Sequence, residues 1–292
     1  MIRLVVIVSV VLMVATPAAA DEDSKTLDLV ARPNQLPAGF AEYGTLIGFP
    51  AGPEFDPPVP EWKYAGMGAW ITATAYARVG VSDKVEVDGQ ATIAANHPEN
   101  GPRANRFGGV RLAALYKLAD SASVRIGADY IDPWMAMYGL TTFQHYYPGS
   151  KPKLAVNIGG RLGATVNQRV RLQSTLRLTV VPLAVDDDTT KDTWLLGELG
   201  ARAETRVYED FFAGLRIAVR TGDNLSPDPA KGATVPIMAQ LRYVATQVDL
   251  GIDVGLGSAL TSTDLMSRVA YAELASSLYV GVVINWRLDG GE

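Results

Sequence analysis

Cysteine is missing from all 292 residues. Its absence rules out a disulfide scaffold, a thiolate metal site and a lipid-modified N-terminal cysteine together. Histidine is almost missing, with only His97 and His145, so imidazole catalysis has little to work with. Long apolar runs are lacking as well. Although 48% of the residues are hydrophobic, no stretch approaches the roughly 18 consecutive apolar residues that a membrane helix needs. A helical membrane protein is thereby excluded. There is no excess of positive charge either: the net charge is -5, which gives no reason to expect nucleic acid as a partner.

The chain opens with Arg3, an apolar run over 4–15, a break at Pro17 and the small residues Ala18-Ala19-Ala20 ahead of Asp21-Glu22-Asp23. A basic start, a short apolar stretch and small residues at its end form the layout of a secretory signal peptide. The run is too short to span a bilayer. We therefore expect 1–20 to be a signal peptide removed after Ala20. Residues 21–39 are then a periplasmic N-terminal segment, and 40–292 are the folded part, exported through the periplasm.

What the chain has in abundance is alternation of period two, which sends successive side chains to opposite faces of a strand. Over 67–79, Met67, Ala69, Ile71, Ala73, Ala75, Ala77 and Val79 take one parity, and Gly68, Trp70, Thr72, Thr74, Tyr76 and Arg78 take the other. After a turn at Gly80-Val81-Ser82-Asp83, Val85, Val87, Gly89, Ala91 and Ile93 alternate with Lys84, Glu86, Asp88, Gln90 and Thr92. Many of these repeats outlast the roughly 5–6 residues of a soluble sandwich strand. They suit tilted strands crossing hydrocarbon, which need about 9–11.

Connections alternate in length. Those at 119–121, 167–168, 209–210 and 246–247 are tight and polar, whereas 95–106, 132–152, 182–193, 221–233 and 259–275 are long. Short turns on one side and long loops on the other are the outer-membrane pattern. Strands are expected near 67–79, 84–94, 107–118, 122–131, 153–166, 169–181, 194–207, 211–220, 234–245, 248–258 and 277–287. Both termini on one side of the membrane require an even number, and 40–49 supplies the missing strand. There Tyr43, Thr45, Ile47 and Phe49 alternate with Glu42, Gly44, Leu46 and Gly48. Residues 264–274 alternate poorly and stay in a loop. The expected fold is all-β, a transmembrane antiparallel up-and-down β-barrel of about twelve strands in an outer membrane.

Outward aromatics fall near strand ends: Tyr116, Phe211, Tyr243 and Trp286 on the tight-turn or terminal side, Phe49, Tyr130 and Trp134 on the other. Such positions fit two interfacial girdles. Two local features carry a resemblance to Gram-negative outer-membrane barrels of the porin-like type. Leu36-Pro37-Ala38-Gly39 resembles the lead into the first strand of many porin-like proteins. The last strand, with Leu278, Val280, Val282, Ile284 and Trp286 at alternate positions, is similar to the C-terminal signal read by barrel-assembly machinery, but this chain continues past the aromatic to Glu292. The resemblance implies that machinery as a partner during biogenesis, and outer-membrane lipid and lipopolysaccharide as the surroundings.

With the apolar parity facing outward, charge collects inside, because a charge facing lipid at the midplane costs about 2–4 kcal/mol. The inner set contains Arg78, Arg111, Arg125, Arg161, Arg169, Arg171, Arg177, Arg202, Arg206, Arg216, Arg220, Arg242 and Arg287, with Lys84 and Lys117. Against it stand Glu42, Glu86, Asp88, Asp129, Glu198, Glu204, Asp249 and Asp253. A basic lining concentrates anions. The expectation is a porin-like channel for small polar, anionic solutes, with Arg111, Arg125, Arg161, Arg171, Arg177, Arg202, Arg206, Arg216, Arg220 and Arg242 lining its lumen. Opposed to it is a closed structural or adhesive barrel whose Arg–carboxylate pairs fill the interior and whose outer loops meet partners.

The loop 132–152 is rich in aromatic residues. Trp134, Tyr138, Phe143, Tyr146 and Tyr147 suggest an inward constriction or a ligand surface, and with it a channel for hydrophobic or aromatic compounds. Asp186-Asp187-Asp188 reads as a solvated loop, since its spacing does not fit a calcium loop. Both histidines fall in long loops, so no catalytic pair is apparent and an enzyme is not expected. No cofactor or metal is expected.

Overall fold

The computed structural model describes residues 29–30, 32–50, 52–54, 63–65, 70–96, 104–131, 153–166, 169–182, 193–222, 233–256 and 278–288. Among the described residues there is no helix. The strands are β1 Ala41–Pro50, β2 Gly52–Glu54, β3 Lys63–Ala65, β4 Trp70–Ser82, β5 Val85–Asn96, β6 Ala104–Ala119, β7 Ala122–Ile131, β8 Lys153–Val166, β9 Val170–Pro182, β10 Thr193–Tyr208, β11 Phe211–Gly222, β12 Ala233–Thr234, β13 Ile237–Val244, β14 Val248–Leu256 and β15 Leu278–Leu288.

Twelve of these make a closed antiparallel barrel. The strands from β4 to β11 pair in sequence order, β13 follows β11, β14 and β15 continue the meander, and β1 lies between β15 and β4. The seam is formed by pairs such as Tyr43↔Trp286 and Thr45↔Ile284. Closure removes the open edges that a hydrocarbon phase would leave without hydrogen-bond partners. β2 and β3 form a separate ribbon within the first long connection, and β12 is a two-residue extension against β11.

The expected all-β barrel of twelve strands, with 40–49 supplying the first, is the architecture observed. Most boundaries lie within one to three residues of expectation, and two of the differences have a visible cause. β4 does not turn at Gly80 but runs on to Ser82, with a shift in register against β5 between Gly80 and Ser82. The extra length is held by Gly80 N–H donating to the Phe40 carbonyl and Gly39 N–H donating to the Gly80 carbonyl. The strand expected over 234–245 is split, because Pro236 has no N–H to give the ladder; β12 ends at Thr234 and β13 begins at Ile237. Residues 264–274 lie outside the described residues.

The two faces of the wall invert the arrangement of a soluble protein. Outward Ile126, Leu154 and Leu162 are 60–61% exposed, whereas inward Glu86 and Asn157 are 0% exposed. An apolar side chain of that size left in water forfeits about 1.5–3 kcal/mol relative to burial, and such residues ring the barrel. The exterior therefore fits lipid. At the tight-turn end Tyr43 stacks on Trp286, with ring centroids 5.6 Å apart, and Phe211 meets Tyr243 at 5.1 Å. These contacts fit an interfacial belt.

The tight turns are polar. Glu209 takes a left-handed φ of 37° between β10 and β11, as a two-residue hairpin turn of the common kind requires. Beside the β6–β7 turn, the Lys117 ammonium sits 2.7 Å from Asp120. Hydrogen bonding and charge from Lys117 hold that carboxyl below its ordinary pKa.

Residues 29–30 and 32–39 fold into the tight-turn mouth of the barrel. Leu29 and Val30 join Phe212 of β11 and Val244 of β13 in a buried apolar cluster. The Gln35 side-chain amide donates to the carbonyls of Lys84 (3.0 Å) and Leu115 (3.2 Å). Gly80 and Gly163 make room for this segment. A Cβ on Gly80 would collide with the Pro37 carbonyl, and one on Gly163 would sit 2.7 Å from Asn34 Oδ1.

Candidate functional site

The inward parity of the strands delivers charged side chains to the barrel interior, and most of them meet a counter-charge there. Glu86 on β5 is the hub nearest the tight-turn mouth. Its two oxygens accept from Arg78 Nε and Nη2, each at 2.9 Å, from Arg161 Nη1 at 3.4 Å and from the Leu36 backbone N–H at 2.8 Å. Arg78 also reaches Glu42 at 3.0 Å. One carboxylate thus ties together β4, β5, β8 and the N-terminal segment.

Arg32 of that segment enters a second cluster. It lies 2.7 Å from Asp249 and 4.0 Å from Glu42. Asp249 also accepts from Asn285 Nδ2 at 3.1 Å and pairs with Arg287 at 3.2 Å. Arg287 donates in addition to the Ala245 carbonyl. Nearby, Asp253 pairs with Arg242 and accepts from Gln240.

A third group lies across β5 to β8. Arg111 meets Asp129 at 2.9 Å, Asn157 donates to the same carboxylate at 3.0 Å, and Asn157 Oδ1 accepts from Arg125 at 2.8 Å. Arg125 closes the chain on Asp88 at 3.0 Å. Arg177 pairs with Glu198 at 3.1 Å, while Glu204 sits between Arg202 and Arg171, the latter at 3.7 Å. Burying such pairs is tolerable because the partners are ionised together and hydrogen-bonded.

Space remains between these clusters. A cavity of about 350 Å³ is floored by Leu29 and Arg32 and walled in part by Arg171, Arg202, Arg242 and Asp253. A second cavity, of about 270 Å³, adjoins Arg111, Arg125, Arg177, Asp88 and Glu198. Tyr76, Arg78, Arg161, Thr175 and Arg216 line both, so they stand where the two meet.

The site residues expected from sequence divide accordingly. Arg111, Arg125, Arg161, Arg171, Arg177, Arg202, Arg216 and Arg242 border the two cavities. Arg206 instead is exposed near the tight-turn rim, its guanidinium carbon 5.4 Å from the centroid of Phe212. Arg220 is placed by its backbone, in register with Glu198 on β10 and Thr234 on β12. Three residues assigned to the inner face are turned elsewhere by the turns they flank. Lys84 and Arg169 are exposed at tight turns, and Lys117 reaches Asp120. Trp134, Tyr138, Phe143, Tyr146 and Tyr147 lie outside the described residues, as do His97, His145 and Asp186-Asp187-Asp188.

Sequence reasoning missed the N-terminal segment as part of the site. Arg32, Asn34, Gln35 and Leu36 are buried against the inner wall, yet the run has no periodicity to announce it. The available signal was local: Leu29, Val30 and Leu36 are too apolar for an extended leader in water.

No protein-family model matches the chain, and no curated protein sequence is similar to it. Among solved structures, the chain is similar to an outer-membrane channel from Pseudomonas putida F1, with 8% identity and a TM-score of 0.48 over 93% of this chain and 100% of that one. It is similar also to the NanC porin, with 9% identity and a TM-score of 0.45 over 86% and 98% of the two chains. The KdgM porin matches at 8% identity and 0.43 over 85% and 98%.

Proposed function

We propose that this chain is a porin-like outer-membrane channel giving passive or facilitated passage to small polar, anionic solutes. The observation that carries the reading is the meeting of the two interior cavities at Arg78, Arg161 and Arg216, beside Tyr76 and Thr175. A solute moving between the cavities passes three guanidinium groups. Arg216 also stands directly across from Arg202 in the β10–β11 register. The carboxylates bordering the cavities, Glu42, Asp88, Glu198, Asp249 and Asp253, are outnumbered by arginines.

The N-terminal segment must yield part of the tight-turn mouth for a solute to leave on that side. Planar-bilayer recording of the purified protein tests the reading. Small conductance is expected from the full chain, larger conductance after deletion of 29–38, and a reversal potential under a salt gradient that favours anions. No conductance in either form would sink the channel reading. Cation preference would sink the anionic half alone.

The ion-pair lattice and the filled mouth favour a second reading, a closed structural or adhesive barrel that meets partners through its outer loops. In that case solute entry into liposomes is absent with and without the segment. Either reading places the chain in an outer membrane among lipid and lipopolysaccharide after export and assembly, and neither calls for enzymatic chemistry.

A further inference from the structure

We infer that Tyr76 and Thr175 set the width of the passage between the two cavities, each lying in a recess left by a facing glycine, and that they limit the solute to compact anions. The inference rests on the channel reading and adds to it the size class of the solute.

Tyr76 and Thr175 border both cavities, together with Arg78, Arg161 and Arg216. Tyr76 stands directly across from Gly44 in the β1–β4 register, and Thr175 directly across from Gly200 in the β9–β10 register. The space that each glycine leaves is already taken. A Cβ on Gly44 would fall 2.6 Å from Cζ and Oη of Tyr76, and one on Gly200 would fall 2.8 Å from Oγ1 of Thr175. The distal atoms of both side chains thus lie over the neighbouring strand, along the wall. Aromatic rings cover cross-strand glycines in this way in paired strands.

The two pairs occupy opposite walls. Around the barrel, β5 to β8 separate them on one side, and β11, β13, β14 and β15 on the other. Where the cavities meet, the passage therefore runs between an aromatic ring laid flat and a hydroxyl drawn back. Arg78 and Arg161 supply charge there but are tied to Glu86. Pores select by diameter as well as by the groups that line them, and at this junction Tyr76 and Thr175 supply the diameter.

The chain contains no cysteine, so Thr175→Cys, close in size to the residue it replaces, places a single thiol at the junction. In full-length protein in detergent, 2-sulfonatoethyl methanethiosulfonate, a compact anion, should label this thiol, and fluorescein maleimide, a bulky one, should not. Adding Tyr76→Ala should admit fluorescein maleimide, whereas adding Tyr76→Phe, which keeps the ring, should still exclude it. Heat-modifiable migration checks that each variant is folded. Fluorescein labelling that is the same with and without Tyr76→Ala overturns the proposal, and so does labelling by neither reagent.

Gly200→Leu raises the opposite wall. A side chain there displaces only the Thr175 hydroxyl, since the next neighbours of a Cβ stand at 3.8 and 3.9 Å. In planar bilayers the permeability of glutamate relative to chloride should rise in Tyr76→Ala and fall in Gly200→Leu. A ratio unmoved by Tyr76→Ala overturns the assignment of that residue, and one unmoved by Gly200→Leu overturns that of Thr175. Labelling that depends on Tyr76 in a barrel without conductance rejects the channel and keeps the gauge between the cavities. Conductance with labelling indifferent to Tyr76 does the reverse.

Discussion

At the scale of single residues, Glu86 concentrates more structure than any other carboxylate described above. It is fully buried and is shared by Arg78, Arg161 and the Leu36 N–H. Removing one partner of a buried ion pair strands the other and costs about 3–5 kcal/mol. Glu86→Ala should lower stability by that order, read as a shift in the urea midpoint of the folded, heat-modifiable band. Glu86→Gln, which keeps the shape and one acceptor oxygen, should lose less. A midpoint unmoved by Glu86→Ala would show that the hub has no energetic weight.

At the scale of elements, the strand faces were open to reading because lipid and interior impose opposite demands at alternate positions. Ile126 sits mid-strand on β7 and is 61% exposed on the outer face, between inward Arg125 and Gly127. Ile126→Arg should cost about 2–4 kcal/mol and reduce the yield of folded barrel in a refolding assay into lipid vesicles. An equal yield would contradict the outward assignment. Strand parity was therefore legible across the chain, and with it the gathering of Arg111, Arg125, Arg161 and Arg177 inside. The details that escaped depend on contacts distant in sequence. β4 continues past Gly80 only because Phe40 and Gly39 supply backbone partners. Arg206 follows the inward parity yet ends at the exposed rim, a matter of its height along β10 that parity alone does not encode. Leu29, Val30, Arg32, Asn34, Gln35 and Leu36 are buried by what surrounds them, and an aperiodic run carries no record of its surroundings.

For the molecule as a whole, a net charge of -5 gives no hint of the arginine-bordered interior, because average charge says nothing of sidedness. If cavity charge steers solutes, the anion preference should weaken as salt rises. The screening length falls from about 10 Å at 0.1 M to about 3 Å at 1 M, so the reversal potential at a fixed concentration ratio should shrink toward zero across that range. A preference that holds at high salt would point to close contact with the arginines in place of long-range attraction.

The seam has a consequence for how the barrel is made. Ala41 pairs with Leu288, so the wall cannot seal until its last strand has been delivered, and until then both edges are open to mispairing. A slip of one residue at that joint would turn every side chain of a strand to the opposite face. Arg32 reaches Glu42 on β1 and Asp249 on β14, and Arg287 of β15 shares Asp249. Arg287 and Asp249 already meet within the β14–β15 pairing, but Arg32 comes from the start of the chain and reaches Asp249 only when the joint has shut. A misregistered closure would cost that buried pair, and the penalty lets the interior check the assembly of the wall that encloses it.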